Sequence, residues 1–105
     1  MKYIVTESQS ELVNLVNEVD TMIPLIIDSM SNEDSSHMHC LYFMRKENYP
    51  LDYISDKVVK QVYKNSFGEP SDNWSKWFKI EDNLKKYIWE NYQDSIISHF
   101  KNICS

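Results

Sequence analysis

The sequence predicts an all-α fold, one compact bundle of about five helices with a short extended segment at its N-terminus. Three observations predict it. Apolar residues recur at spacings near 3.6 along most of the chain. Glycine occurs once, at Gly68, and proline only at Pro24, Pro50 and Pro70, too few turn-formers for a many-stranded sandwich or barrel. The 105 residues, 42% hydrophobic and 13% aromatic, suit a single helical domain, 1–105. A chain of this size buries roughly two thirds of its unfolded surface.

The elements follow in order. Ser8-Gln9-Ser10-Glu11 reads as a capping box, in which Ser8 accepts from the Glu11 amide while the Glu11 carboxylate reaches back. Leu12, Leu15, Val16 and Val19 then give one apolar face to a helix over about residues 9 to 20. Ahead of it, Tyr3-Ile4-Val5 is too short to separate a strand from an extended arm. A proline in a first helical turn removes an amide that would be unpaired anyway, so Thr21 and Pro24 open a second helix over about 22 to 31. Its Met22, Ile23, Leu25, Ile26, Ile27 and Met30 are apolar nearly all round, which predicts the central buried element.

The stretch MSNEDSSHMHC, residues 30 to 40, supplies a loop over 31–35 and the start of a third element capped by Ser35 or Ser36. Met38, Leu41, Tyr42 and Arg45 share a side of it, although HCLYFM also fits a buried strand. Pro50 opens a fourth helix, with Leu51, Ile54, Val58, Val59, Val62 and Tyr63 inward and Gly68 ending it. Pro70-Ser71-Asp72 then caps a short WSKWF turn of helix. Leu84, Tyr87, Ile88, Tyr92, Ile96 and Phe100 predict a long C-terminal helix over 81–103.

Several functions are disfavoured. With a single glycine there is no P-loop and no dinucleotide fingerprint, so no nucleotide cofactor is expected. The N-terminus lacks the apolar run of a signal peptide and no stretch reaches the length of a membrane span, which predicts a cytoplasmic chain with no membrane contact. In that compartment Cys40 and Cys104 are expected to be reduced and packed.

His37, His39 and Cys40 form the one chemically suggestive cluster, but a metal needs about four convergent ligands. Residues 37 and 39 of a helix point to different sides. No metal is therefore expected, and no acid or base is fixed beside Cys40 or a serine as a nucleophile requires. The expectation is that the protein is not an enzyme.

Charge carries more. Residues 1–44 hold seven acids against the single base Lys2, whereas residues 45–105 hold nine acids and ten bases, so the net −5 arises in the first part. A one-signed field of this kind steers a basic partner, and the plainer reading is solubility alone. Direct nucleic-acid binding is disfavoured, because Arg45 is the only arginine and phosphate contacts need clustered bases. In NWSKWFK, Trp74 and Trp77 suit either a core closed between helices or the aromatic anchors of an interface.

In size, acidity and helical layout the chain resembles the small acidic immunity proteins that bacteria make against nuclease toxins in contact-dependent inhibition and colicin systems. That resemblance implies a cytoplasmic partner-binding protein that masks the cationic active site of a toxin nuclease, such as an RNase, and is a monomer or weak dimer when free. The candidate partner-binding residues are Asp20, Asp28, Glu33, Asp34, His37, Trp74 and Trp77. Two other readings fit the same residues: a phage-encoded acidic inhibitor of a host nucleic-acid-binding defence complex, and a non-catalytic subunit that dimerises through Trp74 to Phe78.

Overall fold

The apolar residues on either side of Pro24 decide the first element. The computed structural model describes the backbone of residues 7–104 and the side chains of 12–32 and 34–104. In it one helix, α1 (Glu7–Met30), runs straight through the proline. Proline offers no amide to the carbonyl of Asp20, four residues back, and its ring crowds that group. Burial outweighs this local break: Val19 and Ile23 before the proline and Met30 after it are all in the core. The boundary expected at Thr21 is therefore absent, and the Thr21 hydroxyl instead donates back to the Asn17 carbonyl at 3.1 Å. Nor is 22–31 the central element, since Leu25 is exposed and Met22, Ile26 and Ile27 are only partly covered. The extended segment expected at Tyr3-Ile4-Val5, and the side-chain capping contacts of Ser8 and Glu11, lie outside the described residues.

Residues 38–44 are helical, within α2 (Glu33–Arg45). Its cap is Asn32, whose side chain accepts from the Asp34 amide at 3.3 Å, and not Ser35 or Ser36. The Ser35 hydroxyl is spent on the Ser29 carbonyl, 2.8 Å away, closing the corner between the two helices. α3 (Tyr49–Phe67) follows the sequence expectation, with Pro50 in its first turn and Leu51, Ile54, Val58, Val59, Val62 and Tyr63 buried. It ends at Gly68, whose φ of 86° is the only positive one among the described residues. A side chain there would have room but not an allowed backbone, which is why glycine stands at this position.

A 3-10 turn (Pro70–Asp72) leads into α4 (Trp74–Ile103), capped by Asn73, which accepts from the Lys76 amide at 3.2 Å. The WSKWF turn and the 81–103 helix are one element, because no glycine or proline interrupts residues 79–83.

Four helices and a 3-10 turn thus replace the expected five helices. α3 is the central one and packs against α1 and α4. Tyr63 meets Trp77, and Asp56 meets Lys85, so α3 and α4 are antiparallel. Asp20 meets Tyr87 and Tyr92 while Ser31 meets His99, so α1 and α4 run parallel. α2 lies across the end at which α1 and α4 finish and α3 begins. Among the described residues no helix is long and apolar enough to cross a membrane.

The reduced state expected for the cysteines is overturned. Cys40 of α2 and Cys104 after α4 form a disulfide, with Cα atoms 5.4 Å apart and 64 residues between them in sequence. Residues this remote in the chain are brought together only by the fold. Sequence spacing therefore carried no sign of the pairing.

Candidate functional site

The inner side of α2 is chosen by polar and covalent contacts rather than by apolar content. Cys40 is tied to Cys104, and Phe43 lies 6.0 Å from the Phe100 ring. His39, 8% exposed, places Nδ1 at 2.9 Å from the Tyr49 hydroxyl and meets the Tyr53 ring edge-on at 4.9 Å. Burial holds the His39 imidazole below its ordinary value of 6.5, so it is neutral at neutral pH.

With His39, Cys40 and Phe43 turned inward, the helical period turns Asp34, Met38, Leu41 and Arg45 outward. The sequence places Met38, Leu41, Tyr42 and Arg45 together correctly but leaves their direction open. The structure sets that side toward solvent: Met38 is 56% exposed, Leu41 49%, Tyr42 46% and Met44 76%. Met38, Leu41 and Tyr42 share the outer face of this 13-residue helix and Met44 flanks it, an exposed apolar surface of the kind that marks interaction sites. Tyr42 extends it toward α3 through the Tyr49 ring, 5.0 Å away. Met38, Leu41, Tyr42 and Met44 are all absent from the sequence-derived candidates. Their signal was the surplus of apolar residues around α2, more than one buried face can use.

The acidic corner lies at the junction of α1 and α2, with Asp34 one turn before Met38. Asp28 stands exposed in the last turns of α1, and Asp34 and His37 stand exposed on α2, beside the backbone position of Glu33. The ion pairs described join residues between 46 and 101, such as Lys46 with Asp52 and Lys85 with Asp56; Asp28 and Asp34 take part in none of them. The corner is braced from beneath by Ser31. Its hydroxyl donates to the Ile27 carbonyl at 2.7 Å, so the Nε2 of His99, 2.8 Å away, is the donor to Ser31.

Two candidates lie elsewhere. Asp20 faces α4, where its Oδ1 accepts from the hydroxyls of Tyr87 at 2.8 Å and Tyr92 at 2.5 Å. The hydrogen bond to Asp20, with burial, raises the Tyr87 hydroxyl above its usual range; burial, with the same bond, raises that of Tyr92. Trp77 is 9% exposed and edge-on to Tyr63 at 5.1 Å, a core contact. Trp74 is exposed and stacks on Phe78. It begins α4, whereas α2 is joined to the other end. A 30-residue helix is about 45 Å long, so Trp74 and the acidic corner cannot contact one small partner surface.

The described clefts are shallow. The one between α1 and α3, about 350 Å³, is lined by Asn17, Glu18, Thr21, Met22 and Asn65. Among the described residues no three His, Cys, Asp or Glu side chains gather as metal ligands. Comparison with known protein families, with characterised proteins and with solved structures finds no match to this chain.

Proposed function

We propose that this protein is a non-catalytic inhibitor of the immunity-protein kind, which binds a basic toxin, a nuclease domain such as an RNase, through the α1–α2 corner and the outer face of α2. The observation that carries the proposal is the corner itself: Asp28 and Asp34 lie exposed and outside the described ion pairs, at the end of α1 and the start of α2, the helix that exposes Met38, Leu41, Tyr42 and Met44. Carboxylates in this position substitute for the phosphates that a cationic nuclease site holds, while the apolar patch supplies the desolvated centre from which most binding energy comes. Asp28, Asp34 and His37, with Glu33 at the same turn of the chain, supply the polar rim, which governs the association rate. Met38, Leu41 and Tyr42 form the anchors, which govern dissociation.

Asp20, Trp74 and Trp77 fall outside this surface. Asp20 and Trp77 hold the bundle together, and Trp74 belongs to its far end. On this proposal the protein acts in the cytoplasm, where a nuclease meets its substrate. The Cys40–Cys104 disulfide favours an oxidising compartment instead, and thiol alkylation in intact cells decides between them.

The test is inhibition. A basic nuclease recovered with the protein should lose its activity on titration with one equivalent of wild type. With D28K/D34K, association at low salt should slow by at least about tenfold. A recovered partner without nuclease activity, or a charge-reversed variant that inhibits as well as wild type, would refute the proposal.

A further inference from the structure

The outer stripe of α2 reads the same from either end. Asp34, Met38, Leu41 and Arg45 follow at intervals of four, three and four, with an acid at the N-terminal end and the chain's single arginine at the other. We propose that in the free protein a second copy covers this stripe: two α2 helices pack antiparallel about a two-fold axis that passes between Met38 and Leu41.

Two features of the stripe select a second copy of this chain. The first is register. An isologous interface requires each residue to meet the one that its counterpart meets, and reversal of the helix places Met38 against the partner copy's Leu41 and Leu41 against its Met38. The 4-3-4 spacing is that of a seam along which paired helices interlock. The second is charge. The same reversal sets Asp34 opposite Arg45 at both ends of the contact. Neither residue has an ion pair within its own chain among the described residues, and both are exposed. A parallel arrangement would instead oppose like charges.

The inner contacts of α2 favour this use. The disulfide and the His39–Tyr49 hydrogen bond fix the helix from behind, so it presents its stripe without losing further freedom. The area is modest. A helix of 13 residues is about 20 Å long, and a contact of that length lies below the roughly 1,200 Å² of a stable complex. The dimer is therefore weak and reversible, and the end charges set its register more than its strength. Because it occupies the surface assigned above to a toxin, it dissociates when that partner binds. The dimer itself stands independently of the partner's identity.

Sedimentation equilibrium of the purified, oxidised protein tests it, from about 10 μM to about 1 mM. The average mass should rise from 12.6 kDa toward twice that value. D34R and R45D should each weaken association at least about tenfold by opposing like charges at both ends. D34R/R45D should recover it, although it opposes the helix dipole twice over and so is the worst of the three for α2 itself. Far-UV circular dichroism and the mass of the intact disulfide establish that each variant is folded. A wild type that stays monomeric, a dimer insensitive to both single reversals, or a double variant that fails to recover would overturn the proposal. No toxin is present in the cell, so failure here leaves the inhibition test standing.

Discussion

The Asp20 carboxylate, a surface acid by composition alone, is the polar clasp between α1 and α4. One oxygen accepts from two tyrosine hydroxyls, and hydrogen bonds to a charged acceptor contribute about 1.5–3 kcal/mol, compared with about 1 kcal/mol for neutral ones. D20N keeps the shape and loses the charge. It is expected to cost about 1–2 kcal/mol in urea unfolding and to lower the alkaline titration of Tyr87 and Tyr92, read as tyrosinate absorbance. His39 makes a pH prediction. Its folded-state pKa lies below 6.5, so it contributes stability that is fully present above that pH and is lost as the pH falls through the folded value. Stability should fall between pH 7 and pH 5, and H39Q should flatten that slope. Neither role was legible in sequence. A carboxylate or an imidazole looks alike in any surrounding until its neighbours, here on helices remote in the chain, are placed.

At the scale of the element, α3 and the 81–103 part of α4 were legible because single apolar faces, with clean ends at Pro50 and Gly68 for α3, admit one arrangement, whereas the junction of that part with the WSKWF turn was not. α1 and α2 were not. Pro24 suggested two helices because its cost is local, whereas the burial of Val19 and Ile23 that outweighs it is tertiary. α2 had apolar residues on both sides, and a disulfide to a residue 64 positions away decided which side turned inward. Closing a loop of that size contributes about 4 kcal/mol in the chain-entropy view, and native disulfides measure about 2–5 kcal/mol. C40A/C104A is therefore expected to lower the free energy of unfolding in urea by an amount in that range. Amide exchange should rise chiefly in α2, while α3 and the centre of α4 stay protected, since their core contacts do not involve the bridge. Equal loss of protection throughout would mean that the disulfide supports the whole bundle rather than the orientation of one helix.

Across the molecule, the described acids of residues 1–44 take different surroundings. Asp20 is taken up by tyrosines, while Asp28 and Asp34 remain exposed at one corner. Several acids of the later chain, such as Asp52, Asp56 and Glu69, are neutralised by neighbouring lysines. The sequence therefore located the charged corner but not the apolar surface beside it, and it joined to that corner a tryptophan that belongs to the other end. The most direct test of the proposed surface is a paired capture. Wild-type protein and the double variant D34K/L41E are immobilised side by side, exposed to the same lysate of the source cells, washed at low salt and eluted with a salt gradient, and the eluates are compared by mass spectrometry. The expected result is a basic nuclease that elutes at high salt from the wild type and is missing from the variant. The same protein retained equally on both would place the interface elsewhere on the molecule and contradict the role assigned to α2.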